Sequence, residues 1–481
     1  MTTIKLDPGA ALLLDALHGA GHAAYAVGGC VRDSLLGLAP HDWDLCTSAR
    51  PEQVMALFGE EKCIPTGLQH GTVTVKQGGR LYETTTFRTE GAYSDGRHPD
   101  AVCFVPEVRE DLARRDFTIN AMAYSAEEGL IDPFGGQDDL AAHLVRAVGE
   151  PERRFEEDAL RILRLYRFAA RFGFAIDPAT GAAARALGPH LDCVSAERIQ
   201  EELLKLLAAP RPGSYLESAV LAVVLPELEP EKQPERFAEL CRTIDRIEPT
   251  AENVPARLAA LLWPLGEAGA RKALRKLKCS NALTDEVTAL VGEGVGSFLL
   301  GHEFELRHPA DALCLERHSH PAGRCPNSNS LFPPQAAVVA VAGHSIARPI
   351  ACGNRVPPQR TVLGETPGTP NTTLTVQAKR LLGRYELPTI QRLTALCSAR
   401  HPEQAEAFAA LRAEAEQLTA ENACCRVSQL AVNGRDLMAA GVRPGPGLRQ
   451  VLNALLEAVI TGQTPNEKDA LLAAAAQFSA S

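Results

Sequence analysis

The sequence predicts a mixed α/β head followed by an all-α remainder, and three observations carry that prediction. Short runs rich in β-branched and aromatic residues, bounded by Gly, Pro or charge, are confined to residues 5–145. Beyond about residue 150, apolar positions recur at helical spacing and strand signals nearly vanish. A chain of 481 residues is also long enough for several domains.

In chain order, Ala10–Ala20 reads as a helix and Ala24–Gly28 (AYAVG) as a strand. Val31–Leu38 and Pro51–Phe58 read as helices, the second with Ser48 as its N-cap and Pro51 in its first turn. The strands Gly71–Lys76, Leu81–Phe87 and Ala101–Val105 complete the head. Helices are then expected at Asp158–Phe172, Ala196–Leu207, Ala256–Leu262, Ala270–Leu277, Thr375–Tyr385 and Gln404–Thr419. Residues 302–371 interrupt this pattern with ten prolines, five histidines and no lysine. A stretch that long without periodicity is expected to be a poorly ordered insertion. Within it, Cys314, His318, His320 and Cys325 are zinc-ligand types at a spacing that matches no assignable site.

Hydrophobic residues make up 45% and charged residues 22%, an ordinary globular balance. The net charge of -10 excludes a polycation that coats nucleic acid but leaves room for local basic surfaces. The N-terminus lacks a signal-peptide layout and no apolar run is long enough to span a membrane. Thirteen scattered cysteines suit reduced thiols, so a cytoplasmic location is expected.

Two local patterns point to chemistry. Gly28 and Gly29 follow an apolar strand and precede a helical run, so backbone N–H groups can approach a phosphate, with Arg32 in reach of its oxygens. Asp42 and Asp44 follow in His41-Asp-Trp-Asp-Leu45; residues i and i+2 of a strand share a face, and two adjacent carboxylates call for a divalent cation such as Mg²⁺. Glu83 could complete the metal site or pair with Arg80 or Arg88. Arg114 and Arg115, ahead of Asp116 and Asn120, suit triphosphate oxygens or open a capped helix. Asp132 reads as a turn residue.

The second pattern is Glu157–Arg171, read as one helix with Arg161, Arg164, Arg167 and Arg171 in a stripe opposite Ile162, Leu165, Tyr166 and Ala169. Glu157 and Asp158 lie four and three residues before Arg161. The stripe serves either intrahelical ion pairs or base readout, because an Asp accepting from an exocyclic amine and an Arg donating to a ring nitrogen would take cytosine or adenine. Lys379, Arg380, Arg384, Arg392 and Arg400 form either a nucleic-acid-backbone patch or a solvated helix face.

Taken together, AVGGCVRDSLLG, HDWDL, HGTVTV, YETTTFRTEG, RRDFTINAMAY, DPFGGQDDL, EEDALRILRLYRF and SAERIQEELLKLL resemble the class II tRNA nucleotidyltransferase/poly(A) polymerase family over roughly residues 20–207. A fainter likeness continues at LAVNGRDLMAAGVRPGPGLRQVL. The resemblance implies an α/β nucleotidyltransferase head followed by an all-α neck, body and tail. The expected division is a head at 1–147, a neck at 148–208, a body at 209–301, the insertion at 302–371, and a body and tail contacting tRNA at 372–481. The implied reaction adds the 3′-terminal CCA to tRNA from CTP and ATP without a nucleic-acid template. Asp42 and Asp44 would hold Mg²⁺, and Gly29, Arg32 and Arg115 would contact nucleotide phosphates or sugar. Asp158 and Arg161 would read the base, supported by Arg164 and Arg167; Gly28, Glu83, Asn120 and Glu157 are further candidates. The segment Arg88–Cys103 sits where the family's flexible loop lies, favouring full CCA addition. An A-adding enzyme or poly(A) polymerase, and a catalytically impaired tRNA-binding protein, are the alternatives.

Overall fold

The computed structural model describes residues 3–90, 102–295 and 373–478. Residues 91–101 of the expected flexible loop, and the whole 302–371 segment with its Cys and His residues, lie outside the described residues.

The head is built on the strands β1 (Ala24–Val27), β2 (Leu45–Thr47), β3 (Cys63–Gly67), β4 (Thr72–Gln77), β5 (Arg80–Thr86), β6 (Arg88–Glu90), β7 (Val102–Phe104), β8 (Ala123–Ser125) and β9 (Gly129–Ile131). Seven of them form one mixed sheet in the order β3-β4-β5-β2-β1-β8-β9, while β6 and β7 pair separately. The central strands β1 and β2 are buried along their whole length, which suits the run of Ala, Tyr, Val, Leu and Cys in them. β1 runs antiparallel to β2 and β8, and β2 runs parallel to β5 with Leu45 opposite Thr84.

Head helices are α1 (Pro8–Gly19), α2 (Gly29–Leu35), α3 (Pro51–Phe58), α4 (Val108–Ala113) and α5 (Gly136–Ala141). Asp7 caps α1 by accepting from the Gly9 and Ala10 amides. The residue capping α3 is Arg50, not the expected Ser48. The Ser48 hydroxyl instead accepts from the Ala23 amide ahead of β1, so it ties the start of β1 to the end of β2. Asp132 accepts from the Gly136 and Gln137 amides at the start of α5, the structural role its turn predicts.

The neck corrects one expectation. The expected helix Asp158–Phe172 is present as α7 (Leu160–Phe172), but Glu157–Arg171 is not one helix: α6 (Pro151–Glu157) ends before Asp158, whose backbone is extended (φ -147°, ψ 101°). Helices α8 (Pro178–Ala186) and α9 (Ala196–Leu207) follow. The apolar face of α7 is as expected, with Ile162, Leu165, Tyr166 and Ala169 all buried.

The body continues with α10 (Ser218–Val224), α11 (Pro234–Arg246), α12 (Val254–Leu262), α13 (Gly266–Lys276), α14 (Asn281–Val295), α15 (Thr373–Arg384), α16 (Leu387–Arg400) and α17 (Ala405–Ala420). Val287, Leu290 and Val291 of α14 share one apolar core with Ala378, Leu381 and Leu382 of α15. The text on either side of 302–371 therefore belongs to a single packed unit. The last helices, α18 (Gly434–Ala439), α19 (Pro446–Ile460) and α20 (Lys468–Phe478), gather round a separate core of Leu430, Val432, Leu437, Val451, Leu455 and Leu471.

Four of the basic residues on α15 and α16, read as either a tRNA-backbone patch or a solvated helix face, have partners within the chain. Arg380 pairs with Glu457, Arg384 with Glu293 at 2.9 Å, and Arg392 with Glu286. Arg400 lies over the Trp263 ring, 3.9 Å from its centroid. These side chains tie helices together.

Candidate active site

Sheet register gathers the predicted motifs at one end of the central strands. β1 ends at Val27 and runs into Gly28–Gly29, while antiparallel β2 begins at Leu45, directly after Asp42–Asp44. The Val27 amide donates to the Asp44 carbonyl at 2.9 Å, so the glycine turn and the aspartates are side by side. The Asp-Trp-Asp triplet precedes the strand instead of lying in it, yet the alternation holds: Trp43 is buried and both aspartates are exposed. Parallel pairing of Leu45 with Thr84 puts Glu83 next to Asp44. β8 starts at Ala123, and the Gly28 amide donates to the Met122 carbonyl, which brings in the Thr118–Asn120 turn.

Gly28 is glycine for a reason that can be stated in distances. Its backbone (φ 77°, ψ -123°) is in a region that side chains rarely adopt. A Cβ there would also stand 3.0 Å from Nη1 of Arg115. Arg115 is anchored by Asp111, fully buried and 3.1 Å from Nη2, and Arg114 binds the same carboxylate at 2.9 Å. Burial pushes the Asp111 carboxyl up, and Arg115 and Arg114 together bring it below its ordinary value.

Asp42 has its side chain 83% exposed and takes a contact from Nδ1 of His41 at 3.1 Å. Asp44 opens to solvent on one side and is walled by protein on the other. Its pKa is pushed up to about 6 by burial first, then by the neighbouring charges of Glu83 and Asp42, with Arg115 opposing. A carboxylate that resists ionisation beside two others, all offering oxygen donors only, suits a hard divalent cation. Among the described residues, however, no group of three His, Cys, Asp or Glu side chains is arranged to hold a metal. Glu83 borders Asp44, beside the candidate ligands Asp42 and Asp44.

Arg32 points inward. It is 4% exposed, donates to Asp33 at 2.8 Å and to Asn120 at 2.5 Å, and lies over the rings of Phe168 and Phe172. In this structure it joins α2 to α7, and does not reach out to solvent. Asn120 in turn donates to Asp116, whose other oxygen accepts from Nε and Nη2 of Arg164 at 2.9 and 2.6 Å. Gly28 with Arg115, and Arg32 with Asn120, Asp116 and Arg164, are thus linked by direct contacts.

The arginine stripe is a joint. Arg161 donates to Glu157 at 2.8 Å and to the carbonyls of Arg154 and Arg114, fastening the neck to the segment that carries Arg115. Arg167 pairs with Glu202 at 2.5 Å and Arg171 with Asp33 at 3.3 Å. Asp158 does not meet Arg161; it pairs with Arg198 of α9 at 2.8 Å, because the break between α6 and α7 turns it away. The sequence reading missed Asp116, Asp33, Arg198 and Glu202 as partners. Glu202 had a signal: it falls among the buried positions Ile199, Leu203 and Leu206, where a carboxylate requires a cation.

Comparisons with known proteins agree with this arrangement. The poly A polymerase head domain family matches residues 24–146, the probable RNA and SrmB-binding site of polymerase A matches 173–232, and tRNA nucleotidyltransferase domain 2 matches 382–475. The CCA-adding enzyme of Lactiplantibacillus plantarum is 33% identical over 463 residues, 96% of this chain and 93% of that one. The chain belongs to the tRNA nucleotidyltransferase/poly(A) polymerase family. Over a shorter stretch, 252 residues that make up 52% of this chain and 60% of its relative, the CCA-adding enzyme of Leuconostoc citreum is 44% identical. Among solved structures of the family, the Bacillus stearothermophilus CCA-adding enzyme in complex with CTP superimposes with a TM-score of 0.70 at 29% identity, covering 98% of each chain. The α/β head and helical remainder are those of the family fold. No described helix is long and apolar enough to cross a membrane.

Proposed function

We propose that this chain is a cytoplasmic CCA-adding tRNA nucleotidyltransferase. It adds the 3′-terminal CCA to tRNA, taking CTP and ATP as substrates and using no nucleic-acid template. The observation that carries the reading is the open Asp42–Asp44 pair beside the Gly28–Gly29 turn, in a chain whose near full-length relative is a CCA-adding enzyme. That relationship also disfavours an A-adding enzyme or a poly(A) polymerase.

Asp42 and Asp44 would hold Mg²⁺, which commonly takes one or two carboxylates and completes its shell with water and substrate phosphates. Bound there, the ion would supply Lewis-acid stabilisation of charge on the α-phosphate. The residues of the chain do the rest. The Gly28–Gly29 backbone lets the triphosphate approach without Cβ interference, with Arg115 held beside it by Asp111. The tRNA 3′-hydroxyl oxygen attacks the α-phosphorus and releases its proton to solvent, the bond from that phosphorus to the bridging oxygen of the β-phosphate breaks, and pyrophosphate leaves. Asp158 and Arg161 present acceptor and donor groups for the incoming base, with Arg164 and Arg167 in support. Reading the base in this way requires Asp158 to leave Arg198, with which it pairs here.

Incubation with tRNA lacking its CCA end, with CTP alone, ATP alone and both, followed by sequencing of the added tail, tests the proposal. The expected product is CCA with both nucleotides, abolished in Asp42→Ala and in Asp44→Ala. Single or repeated A residues, or full activity of either variant, would refute it.

A further inference from the structure

We propose that a cleft on the body, remote in sequence from the catalytic head, binds a phosphate group, carried either by an RNA backbone or by free pyrophosphate. The cleft encloses about 530 Å³ between the Pro212–Tyr215 turn and α11, and Arg211, Arg242 and Arg246 line it together with Ser214 and Asp245. It is a built feature. The Gly213 amide donates to one oxygen of Asp245 at 2.7 Å and the Ser214 hydroxyl to the other at 2.9 Å, which fixes the turn on the helix. A Cβ at Gly213 would stand 2.1 Å from the Cys241 carbonyl, so only glycine allows the approach.

The charge balance is what points to an anion. Arg242 and Arg246 share one carboxylate, Glu239, at 2.6 and 3.1 Å, and Arg246 also donates to the Ala399 carbonyl. Asp245 is already engaged by its two donors in the floor. Arg211 is exposed and has no carboxylate partner among the described residues. Three guanidinium groups therefore face two carboxylates that are both engaged, leaving net positive charge in a concave site. Cations near the C-terminus of a helix also complement its dipole, which accounts for Arg242 and Arg246 on α11. It does not account for Arg211, which lies off that helix and lines the same cleft. Guanidinium forks match phosphate oxygens in pairs, and a phosphate offers more acceptor oxygens than the two of a carboxylate, which suits a site with three forks.

The RNA arm of this inference rests on the proposed tRNA reading; the pyrophosphate arm does not. The test uses the full chain and the double variant Arg211→Gln/Arg242→Gln, with Lys272→Gln/Lys276→Gln on α13 as a charge-matched control. Binding of tRNA lacking CCA is measured by fluorescence anisotropy across a KCl series, and thermal unfolding is measured with and without pyrophosphate. An RNA phosphate in the cleft predicts roughly fivefold weaker binding, with the log–log salt slope reduced by about 1. A free anion predicts an unchanged slope and a smaller pyrophosphate-induced rise in Tm for the double variant than for the wild type. Unchanged behaviour in both arms, or an equal effect of Lys272→Gln/Lys276→Gln, overturns the proposal. Incorporation of CTP into tRNA by the wild-type chain separates failure of the cleft from failure of the tRNA reading.

Discussion

Replacing Asp116 with Asn should loosen the joint between head and neck by about 2–3 kcal/mol. One oxygen of Asp116 takes two hydrogen bonds from Arg164, and the other accepts from the Phe117 amide and from Asn120. Removing one partner of a buried ion pair costs about 3–5 kcal/mol, because the other charge is left uncompensated. The Arg164 side chain is 33% exposed and can turn toward water, which lowers the expected cost. Arg164→Met leaves the better buried carboxylate unpaired and should cost more. The double variant should cost less than the sum of the two, with a coupling of about 2 kcal/mol. The pH dependence has a definite sign. Burial pushes the Asp116 carboxyl up, but Arg164, the Asn120 hydrogen bond and Arg161 together hold it well below the usual carboxylate range. A depressed native pKa means stability that is fully present above the unfolded value of about 3.9 and lost as pH falls toward the native value. The gap between wild type and Asp116→Asn should therefore close progressively below about pH 4. Urea unfolding at a series of pH values, followed by Trp43 and Trp263 emission, measures both. A cost under about 0.5 kcal/mol at neutral pH, or a gap that does not change with acid, would refute this account of the joint.

Three further outcomes follow from single contacts. Arg257 is fully buried and donates to the Leu207, Ala209 and Ile247 carbonyls at 2.5–2.7 Å, so Arg257→Met should destabilise the neck–body junction by about 3–5 kcal/mol in urea unfolding. Gly28→Ala should cost only about 1–3 kcal/mol of stability, yet cut nucleotide incorporation strongly, because the new methyl displaces Arg115; single-turnover CTP incorporation reads the effect. A combined Arg380→Gln/Arg384→Gln/Arg392→Gln variant should leave the salt dependence of tRNA binding unchanged while lowering stability by about 1–3 kcal/mol, as expected for arginines occupied by Glu457, Glu293 and Glu286.

The sequence was legible where the physics is local. The strands of the head announce themselves through β-branched residues, and the sheet then places Gly28, Asp42 and Asp44 together because β1 and β2 are antiparallel neighbours. The break at Asp158 was not legible: Glu157-Asp158-Ala159 contains no Gly or Pro, and Asp158 is extended where its carboxylate meets Arg198, forty residues away. The same limit holds at Lys379–Arg400, read as either a tRNA-backbone patch or a solvated helix face, where the acids that meet Arg380, Arg384 and Arg392 lie 77 to 106 positions away.

These failures share a cause that bears on function. With 59 acidic against 49 basic side chains, many arginines on this chain meet a carboxylate where two elements pack, so an arginine-rich segment marks a joint more readily than a nucleic-acid surface. The stripe on α7 obeys this rule in full, with Glu157, Asp116, Glu202 and Asp33 meeting Arg161, Arg164, Arg167 and Arg171. An anion-binding surface must then be sought where arginines outnumber the carboxylates around them, which the cleft of Arg211, Arg242 and Arg246 satisfies. At the candidate active site the imbalance has the opposite sign: Glu83 and Asp42 crowd Asp44 while Arg115 opposes them, and a divalent cation arriving with a nucleotide would correct it.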